Sequence, residues 1–367
     1  MVGWLSRLFS TAPSARVEDH ASDHDADQDV DLGASASNIE PVTHERHHSP
    51  IDPRTATRSD LVPLPWMQRD SLNADFLDWL FDAPGDIPGE AALFASQQEK
   101  DILVALEKII DTRKSGADMV RRMPGVLPQL LQSLRTDEFS GADLARKISH
   151  DVVLVEAVIR LANSALYRSG ETITSIEHAI MVLGHDGLRQ LVTSVAFKPI
   201  VDLKSGRYTR ALAPKIWEQS EKCAIANRII AEGQAIEPLE AFLAGLIQHV
   251  GFIVSLRFID QMTDEQHGIG STGFRAALSN FGRKISANIA REWKFADTII
   301  LAIEEQGITS HKVELSALGT VLGMGEYVSK LQILSIAQRV DAQDPLLRKG
   351  LPIVALALLD QAESNSA

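Results

Sequence analysis

The stretch FLAGLIQHVGF, residues 242–252, places two adjacent polar side chains, Gln248 and His249, in the middle of an apolar run. Imidazole is a common ligand of divalent metals and a common proton carrier near neutral pH. A bound metal can lower the pKa of a water molecule and offset the negative charge of a phosphoryl group. The pair therefore belongs to a metal centre, to a proton relay or to a site that has lost its ligands.

The other candidates for metal-binding or nucleophilic chemistry are weak. A catalytic metal usually needs three protein ligands, which a single imidazole does not supply. The one cysteine, Cys223, excludes an internal disulfide and a multi-cysteine zinc site, and its apolar neighbours in KCAIANRII predict a small core residue. The His-Asp pairs at His150-Asp151 and His185-Asp186 fall at predicted helix starts, where capping explains the aspartates.

The composition indicates a globular chain with an acidic balance. Of the 367 residues, 45% are hydrophobic, and the formal net charge is −13. This charge argues against broad nucleic-acid binding, which needs a positive surface, so we expect no nucleic-acid partner. A single cysteine favours a reduced, cytoplasmic setting. No run reaches the roughly 18 apolar residues of a membrane-spanning helix, and residues 241–256 come closest.

The first sixty residues differ in composition from the rest of the chain. Residues 1–60 include EDHASDHDADQDVDLG, and we predict that they form a disordered acidic segment. Residues 1–10, MVGWLSRLFS, place several apolar side chains on one side of a short helix, a pattern that permits weak contact with a membrane surface. We favour a frayed terminus, because a single Arg7 adds little attraction. The same residues lack the long apolar region of a secretory signal.

Helical periodicity dominates the remaining sequence, and no stretch alternates as a half-buried strand would. We predict a short helix from near Ser71 and a second helix over 90–113, together forming a helical extension at 61–117. Further helices are predicted over 175–184, 186–203, 212–233, 238–259, 271–293, 297–306, 313–340 and 344–362. The predicted fold class is therefore all-α, a compact multi-helix bundle.

Two phrases, RLANSALY at 160–167 and ITSIEHAIMVLG at 173–184, resemble the HDOD domains (HD-related output domains) of bacterial signalling proteins. The resemblance extends over roughly 118–340. HDOD domains are all-helical relatives of the HD-type metal phosphohydrolases, and they generally lack the metal-dependent activity. The resemblance implies an HD-like bundle at 118–340, followed by a C-terminal helix and tail at 341–367.

The resemblance also implies where an HD enzyme would hold its metal. Such enzymes carry a His in a W-x-H-S-like helix, a His-Asp pair in A-G-L-L-H-D-I-G and further ligands later in the chain. Here Gln219 stands at the first His, Gln248 at the second His and His249 at the Asp. Lys284 and Gln306 fall near two later ligand positions. The resemblance therefore implies a vacated pocket with no metal, no cofactor and no catalytic residue.

The loop between the two phrases offers candidates for structural roles or for partner contact. Asn163 and Ser164 lie near the end of an apolar helix, where small polar side chains can pair open backbone groups. Ser175 is a candidate N-cap of the next helix. Tyr167 and Arg168 begin the connecting loop, which is a candidate for partner contact.

These observations favour a non-enzymatic bacterial regulatory module that binds a protein partner of a signalling pathway. The alternative hypothesis is a sensor of a nucleotide or small anion in the vacated pocket, because the amides offer donors and acceptors and Lys284 offers charge. A divergent metal-dependent phosphohydrolase ranks below both. The sequence has no G-x-S-x-G elbow or Walker A loop, and the glycines of GTVLGMG follow no predicted strand.

Overall fold

The computed structural model describes residues 61–81, 96–111, 158–163, 172–197, 206–232, 234–263, 268–307 and 314–364. These residues are helical and contain no strand, which confirms the predicted all-α class. The predictions for the acidic segment at 1–60, including the contact surface at 1–10, lie outside the described residues.

The helices of the described residues are numbered in chain order. They are α1 (Trp66–Phe81), α2 (Gln97–Asp111), α3 (Ile176–Phe197), α4 (Arg207–Ala231), α5 (Pro238–Ile247), α6 (Val250–Met262), α7 (Thr272–Glu292), α8 (Asp297–Glu305), α9 (Ala317–Ile336), α10 (Pro345–Arg348) and α11 (Ile353–Ser364). Residues 158–162 are also helical. Most of the predicted helices are present with boundaries shifted by a few residues.

α1 begins at Trp66, earlier than the start that we predicted near Ser71. The carbonyl of Pro65 accepts a hydrogen bond from Arg69 N at 3.2 Å, so the first turn is already helical. Burial of Leu72 and of four later apolar side chains holds the helix against the core. The extra turn matters for function because it brings Arg69 to the site described below.

Glycines mark two helix boundaries in the second half of the chain. The predicted boundary at Gly184 is a kink within α3, where φ is 70° and ψ is 179°. The prediction of a single helix over 344–362 is wrong, because the chain forms α10 and α11 there. Gly350 adopts φ of 82°, in the left-handed region that favours glycine, and Pro352 cannot continue the hydrogen bonds of a preceding helix.

The apolar stretch 238–259, predicted as one helix, is divided into α5 and α6 by a turn at Gln248 and His249. Ser286 of α7 forms hydrogen bonds with two backbone groups at this turn. Gly251 N donates to Ser286 Oγ at 2.8 Å, and Ser286 Oγ donates to the Gln248 carbonyl at 2.8 Å. The polar pair therefore lies at a corner between two helices, and buried backbone groups remain paired there.

α4 and α9 are the central helices of the bundle. α4 packs against α5, α6 and α9, and α9 also contacts α1, α5, α8 and α11. Gly325 of α9 lies so close to Asn227 of α4 that a Cβ at Gly325 would overlap the asparagine side chain. Gly325, in the stretch GTVLGMG, thus permits close packing of α9 on α4. This packing role explains a glycine that the sequence patterns did not assign to a phosphate-binding loop.

Pro238–Met262 is long and apolar enough to cross a membrane by composition, with a mean hydropathy of 1.7 over its most apolar window. In the structure, 89% of that window is buried by other parts of the protein. The segment is also interrupted by the turn at 248–249. Its apolarity is therefore explained by its place in the core of the bundle.

Candidate functional site

Four of the five predicted pocket residues are buried. Gln219 and Gln248 are 1% exposed, and His249 and Gln306 are 9% exposed. His249 contacts a charged residue of α9, and Gln306 donates to the backbone of Gly319 in the same helix. The structure thus brings His249 and Gln306 to the same helix, where each contacts a residue that was not among the predicted positions.

Lys284 does not line this region, so its prediction as a pocket residue is wrong. Its side chain is exposed on α7, with Nζ 5.7 Å from the centre of the Phe281 ring. The preceding residue, Arg283, points inward and places Nη2 3.0 Å from Glu326 Oε1. Adjacent residues point about 100° apart around a helix, so an error of one position exchanges an exposed cation for a buried one.

A buried cluster of four charged or titratable side chains lies at the corner between α6, α7 and α9. We call His249, Arg283, Glu326 and Lys330 the Glu326 cluster. Oε1 of Glu326 lies 2.6 Å from Lys330 Nζ, 3.0 Å from Arg283 Nη2 and 3.7 Å from His249 Nε2. The four side chains are only 6% to 15% exposed. One carboxylate is therefore shared by two cations in the core.

The protonation states in this cluster follow from burial and mutual attraction. Burial favours a raised pKa of Glu326, but Lys330 and Arg283 outweigh it and hold that pKa well below its ordinary value. Burial lowers the pKa of His249, although Glu326 opposes the effect. Burial also lowers the pKa of Lys330, again against Glu326. At neutral pH the cluster therefore combines an ionised carboxylate with a neutral imidazole.

The residues of the cluster do not fit the divalent metal that an HD-type enzyme would hold. They offer one carboxylate and one imidazole, whereas a catalytic site usually needs three such ligands. Lys330 and Arg283 already lie on the carboxylate and would repel a metal ion. Within the described ranges, no group of three or more His, Cys, Asp and Glu side chains is arranged to hold a metal.

Gln219 and Gln248 stand at expected ligand positions and are buried in the core, where Gln219 Nε2 and Gln248 Oε1 have no hydrogen-bond partner within the described residues. Gln248 Nε2 donates to Cys223 Sγ at 2.9 Å. Ser220, next to Gln219, places Oγ 3.2 Å from His249 Nδ1. Burial raises the pKa of the Cys223 thiol well above its ordinary value, so the thiol stays protonated and is a poor nucleophile.

A pocket of about 110 Å³ opens beside the Glu326 cluster, between α1, α7 and α9. Its lining includes the charged side chains of Arg69, Arg283, Glu326 and Lys330. Asn73 of α1 accepts a hydrogen bond from Lys330 Nζ at 2.6 Å. The pocket is therefore polar and cationic, and its wall includes the helix that precedes the predicted HD-like bundle.

The sequence patterns did not predict that Arg69, Arg283, Glu326 and Lys330 belong to this site. A signal for two of them was present. Glu326 and Lys330 are four residues apart in an otherwise apolar helix, GTVLGMGEYVSKLQIL, and this spacing places opposite charges on one helix face. A charge pair on the apolar face of a helix can indicate a buried ion pair.

Asn163 and Ser175 pair backbone groups near the predicted partner loop. Asn163 Nδ2 donates to the carbonyls of Ile159 at 2.9 Å and Ile173 at 2.6 Å, and its Oδ1 accepts from Ile173 N at 2.8 Å. Ser175 Oγ accepts from His178 N at 3.0 Å, as an N-cap of α3 does. The other candidates, Ser164, Tyr167 and Arg168, lie outside the described residues.

The helical bundle and the altered ligand positions define an HD-related helical domain. The sequence model of the HDOD domain matches residues 120–308, more than half of the 367-residue chain. The chain therefore belongs to the HDOD domain family, which confirms the resemblance found in its sequence. α1 and α9, which supply Arg69, Glu326 and Lys330, lie outside the matched residues.

Several known proteins are similar to this chain. An uncharacterized protein of Treponema pallidum (strain Nichols) is 21% identical over 195 residues, which are 51% of this chain and 37% of that protein. The chain thus matches well under half of the length of this curated relative. An HDOD domain protein of unknown function from Geobacter sulfurreducens is 18% identical, with a TM-score of 0.49, over 72% of this chain and 95% of that structure. A structure from Shewanella amazonensis SB2B has the same identity and TM-score over 74% of this chain and 100% of its own.

The cluster predicts how stability depends on pH. The pKa of His249 in the folded protein is lower than its ordinary value of 6.5. As the pH falls below 6.5, the imidazole is therefore protonated in the unfolded chain while it is still neutral in the folded chain. The free energy of unfolding should therefore fall as pH falls below 6.5, by up to about 1.4 kcal/mol per pH unit. The lowered pKa of Glu326 acts at more acidic pH, below its ordinary 4.5.

Urea unfolding at pH 7.5, 6.5 and 5.5 measures this dependence, with His249→Gln as the matched variant. Gln cannot titrate, so the variant should lose less stability than the parent between pH 6.5 and 5.5. Equal losses in the two proteins would show that the His249 side chain is not a buried neutral imidazole.

Proposed function

We propose that this chain is a bacterial regulatory module that acts in the cytoplasm by binding a protein partner and does not hydrolyse phosphate esters. The observation that supports the proposal most is the Glu326 cluster. At the place where the family resemblance locates metal ligands, the carboxylate of Glu326 is neutralised by Lys330 and Arg283.

Chemistry explains why this cluster is a poor hydrolytic centre. Hydrolysis by an HD-type site needs a metal that lowers the pKa of a bound water and stabilises charge on the phosphoryl oxygens. An ammonium group such as that of Lys330 can attract an anion, but it has no coordination position for a nucleophilic water. The amides of Gln219 and Gln248 add no charge. The residues present therefore support binding rather than bond cleavage.

The surface near the HDOD phrases supports a role in protein binding. Met181 of α3, within ITSIEHAIMVLG, is 79% exposed, and a large exposed methionine suits an adaptable protein contact. It follows the loop at 167–174 that the sequence predicts as a partner surface. We therefore propose that the loop and Met181 of α3 contact the partner.

The proposal can be tested with the full-length chain. Affinity capture from the native bacterium should recover a specific partner. Met181→Glu should abolish its recovery, while Met262→Glu, a change at an exposed methionine on α6, should not.

The absence of hydrolysis is tested separately. The protein loaded with Mn²⁺ or Fe²⁺ should not hydrolyse bis(p-nitrophenyl) phosphate or cyclic dinucleotides above the buffer rate. Metal-dependent turnover that His249→Ala removes would contradict the non-enzymatic function.

Sensing of a small anion is a second candidate function. It is favoured by the pocket of about 110 Å³, whose wall has three cationic side chains and one buried carboxylate. A ligand there would contact α1, α7 and α9 at once. Its binding could therefore change how these helices pack and so regulate partner binding.

A further inference from the structure

The pocket between α1, α7 and α9 has an excess of positive charge. Arg69, Arg283 and Lys330 supply three cations. Glu326 is the one buried carboxylate among the lining residues, and Asp70 adds a second carboxylate at the exposed rim. The buried part of the wall therefore has two more cations than carboxylates, and an added anion would reduce this imbalance.

Arg69 is the cation that Glu326 neutralises least. The ion pairs of Glu326 are made by Lys330, Arg283 and His249. Arg69 Nη1 instead donates to the neutral Oε1 of Gln306 at 3.2 Å, and its buried Nε has no acceptor in the part of the chain that the structure describes. Arg69 lines the pocket and is not among the ion-pair partners of Glu326 within the described residues, so its guanidinium can form a charge-assisted hydrogen bond with an anionic acceptor there.

The surrounding residues hold the Arg69 guanidinium in one position. Gln306 Nε2 donates to the carbonyls of Ala302 and Gly319, both at 2.9 Å, which turns its Oε1 toward Arg69. Gly323 leaves room for this contact, because a Cβ there would lie 3.0 Å from both Arg69 Nη1 and Gln306 Oε1. Gln306 is therefore a positioning residue for Arg69, and the guanidinium is preorganised before a ligand binds.

The size and charge of the pocket define the chemistry of its ligand. A volume of about 110 Å³ has room for several water molecules, and therefore for one tetrahedral oxyanion, but not for a whole cyclic dinucleotide. The planar guanidinium fork matches phosphate oxygens, and Lys330 adds a point charge. We propose that this pocket binds the phosphate group of a small ligand through Arg69, Arg283 and Lys330. The inference rests on the second candidate function and specifies its ligand.

Isothermal titration of the full-length chain tests this proposal, at pH 7.5 and low ionic strength in Hepes. The probes are inorganic phosphate, a nucleoside 5′-monophosphate and a cyclic dinucleotide. We expect saturable binding of one equivalent of phosphate or of the monophosphate. Arg69→Gln should weaken it at least tenfold, and Arg210→Gln, at an exposed arginine of α4, should leave it unchanged. Stronger binding of the monophosphate than of phosphate would identify an ester as the ligand.

Gln306→Glu separates ligand binding from a merely structural role. Its new carboxylate should pair with Arg69 and compete with the ligand, so phosphate binding should weaken at least tenfold while urea unfolding shows a folded protein. The proposal is overturned if no probe binds the parent chain saturably, or if Arg69→Gln and Gln306→Glu bind phosphate as tightly as the parent. Phosphate binding that leaves partner capture unchanged would support the site and contradict only the sensing function.

Discussion

Replacement of Glu326 by alanine should lower the free energy of unfolding by about 3–5 kcal/mol. The substitution removes the one carboxylate that Lys330 and Arg283 share in the core. Removing one partner of a buried ion pair costs about 3–5 kcal/mol, because the remaining charge stays buried without an opposite charge beside it. Urea unfolding followed by far-UV circular dichroism measures the loss.

Glu304→Ala is the matched control for this prediction. Glu304 pairs with Arg291, but both side chains are more than 40% exposed, and such surface pairs contribute about 1 kcal/mol or less. The Glu326→Leu, Lys330→Met double variant should be about 1–2 kcal/mol more stable than Glu326→Ala, because it removes the uncompensated Lys330 cation and leaves Arg283 as the one cation of the pair without its carboxylate. A Glu326→Ala loss no larger than that of Glu304→Ala would refute the buried cluster.

The second large effect is expected at the corner between α5 and α6. A Cβ at Gly251 would lie 2.5 Å from Ser286 N and 2.9 Å from Ile285 Cβ, and would also overlap the Gly282 carbonyl. Two of these atoms belong to the backbone of α7 and cannot move like the end of a flexible side chain. Gly251→Ala should therefore force α6 and α7 apart and lower the free energy of unfolding by about 3 kcal/mol.

Gly307→Ala is the control for the corner variant, because a Cβ at Gly307 meets its nearest atom only at 3.4 Å. It should change the free energy of unfolding by less than about 1 kcal/mol. Gly251→Ala should also weaken the hydrogen bond from Gly251 N to Ser286 Oγ, which hydrogen exchange of that amide would report. Unfolding of Gly251→Ala at the same urea concentration as the parent would contradict the close packing of α6 on α7.

Local sequence determined much of the fold. Periodic apolar residues predicted the helices from α3 to α9, and the helix boundary expected at Gly184 is the kink of α3. The break at Gln248 and His249 was not predictable in the same way, because apolar periodicity continues on both sides of it. The break depends on Ser286, which pairs its backbone groups from another helix. Such tertiary contacts have no local sequence signal.

The composition of the site was only partly predictable. The family resemblance selected Gln248, His249 and Gln306 as pocket positions, and the structure places His249 and Gln306 against α9. Alignment to ligand positions selected Lys284 in place of its inward neighbour, Arg283. Arg69 lies on α1, far away in sequence and outside the matched family residues, so only the fold reveals its contact with Gln306. Buried charges of this kind are defined by partners that are distant along the chain.

We expect the HD-type position to hold no divalent metal, because Lys330 and Arg283 already neutralise Glu326. Titration of Mn²⁺ into the full-length chain and into His249→Ala, followed by calorimetry at pH 7.5, tests it most directly. Any weak binding should be identical in the two proteins, because the cluster contributes no metal site. Binding of one equivalent of Mn²⁺ that His249→Ala abolishes would contradict the claim.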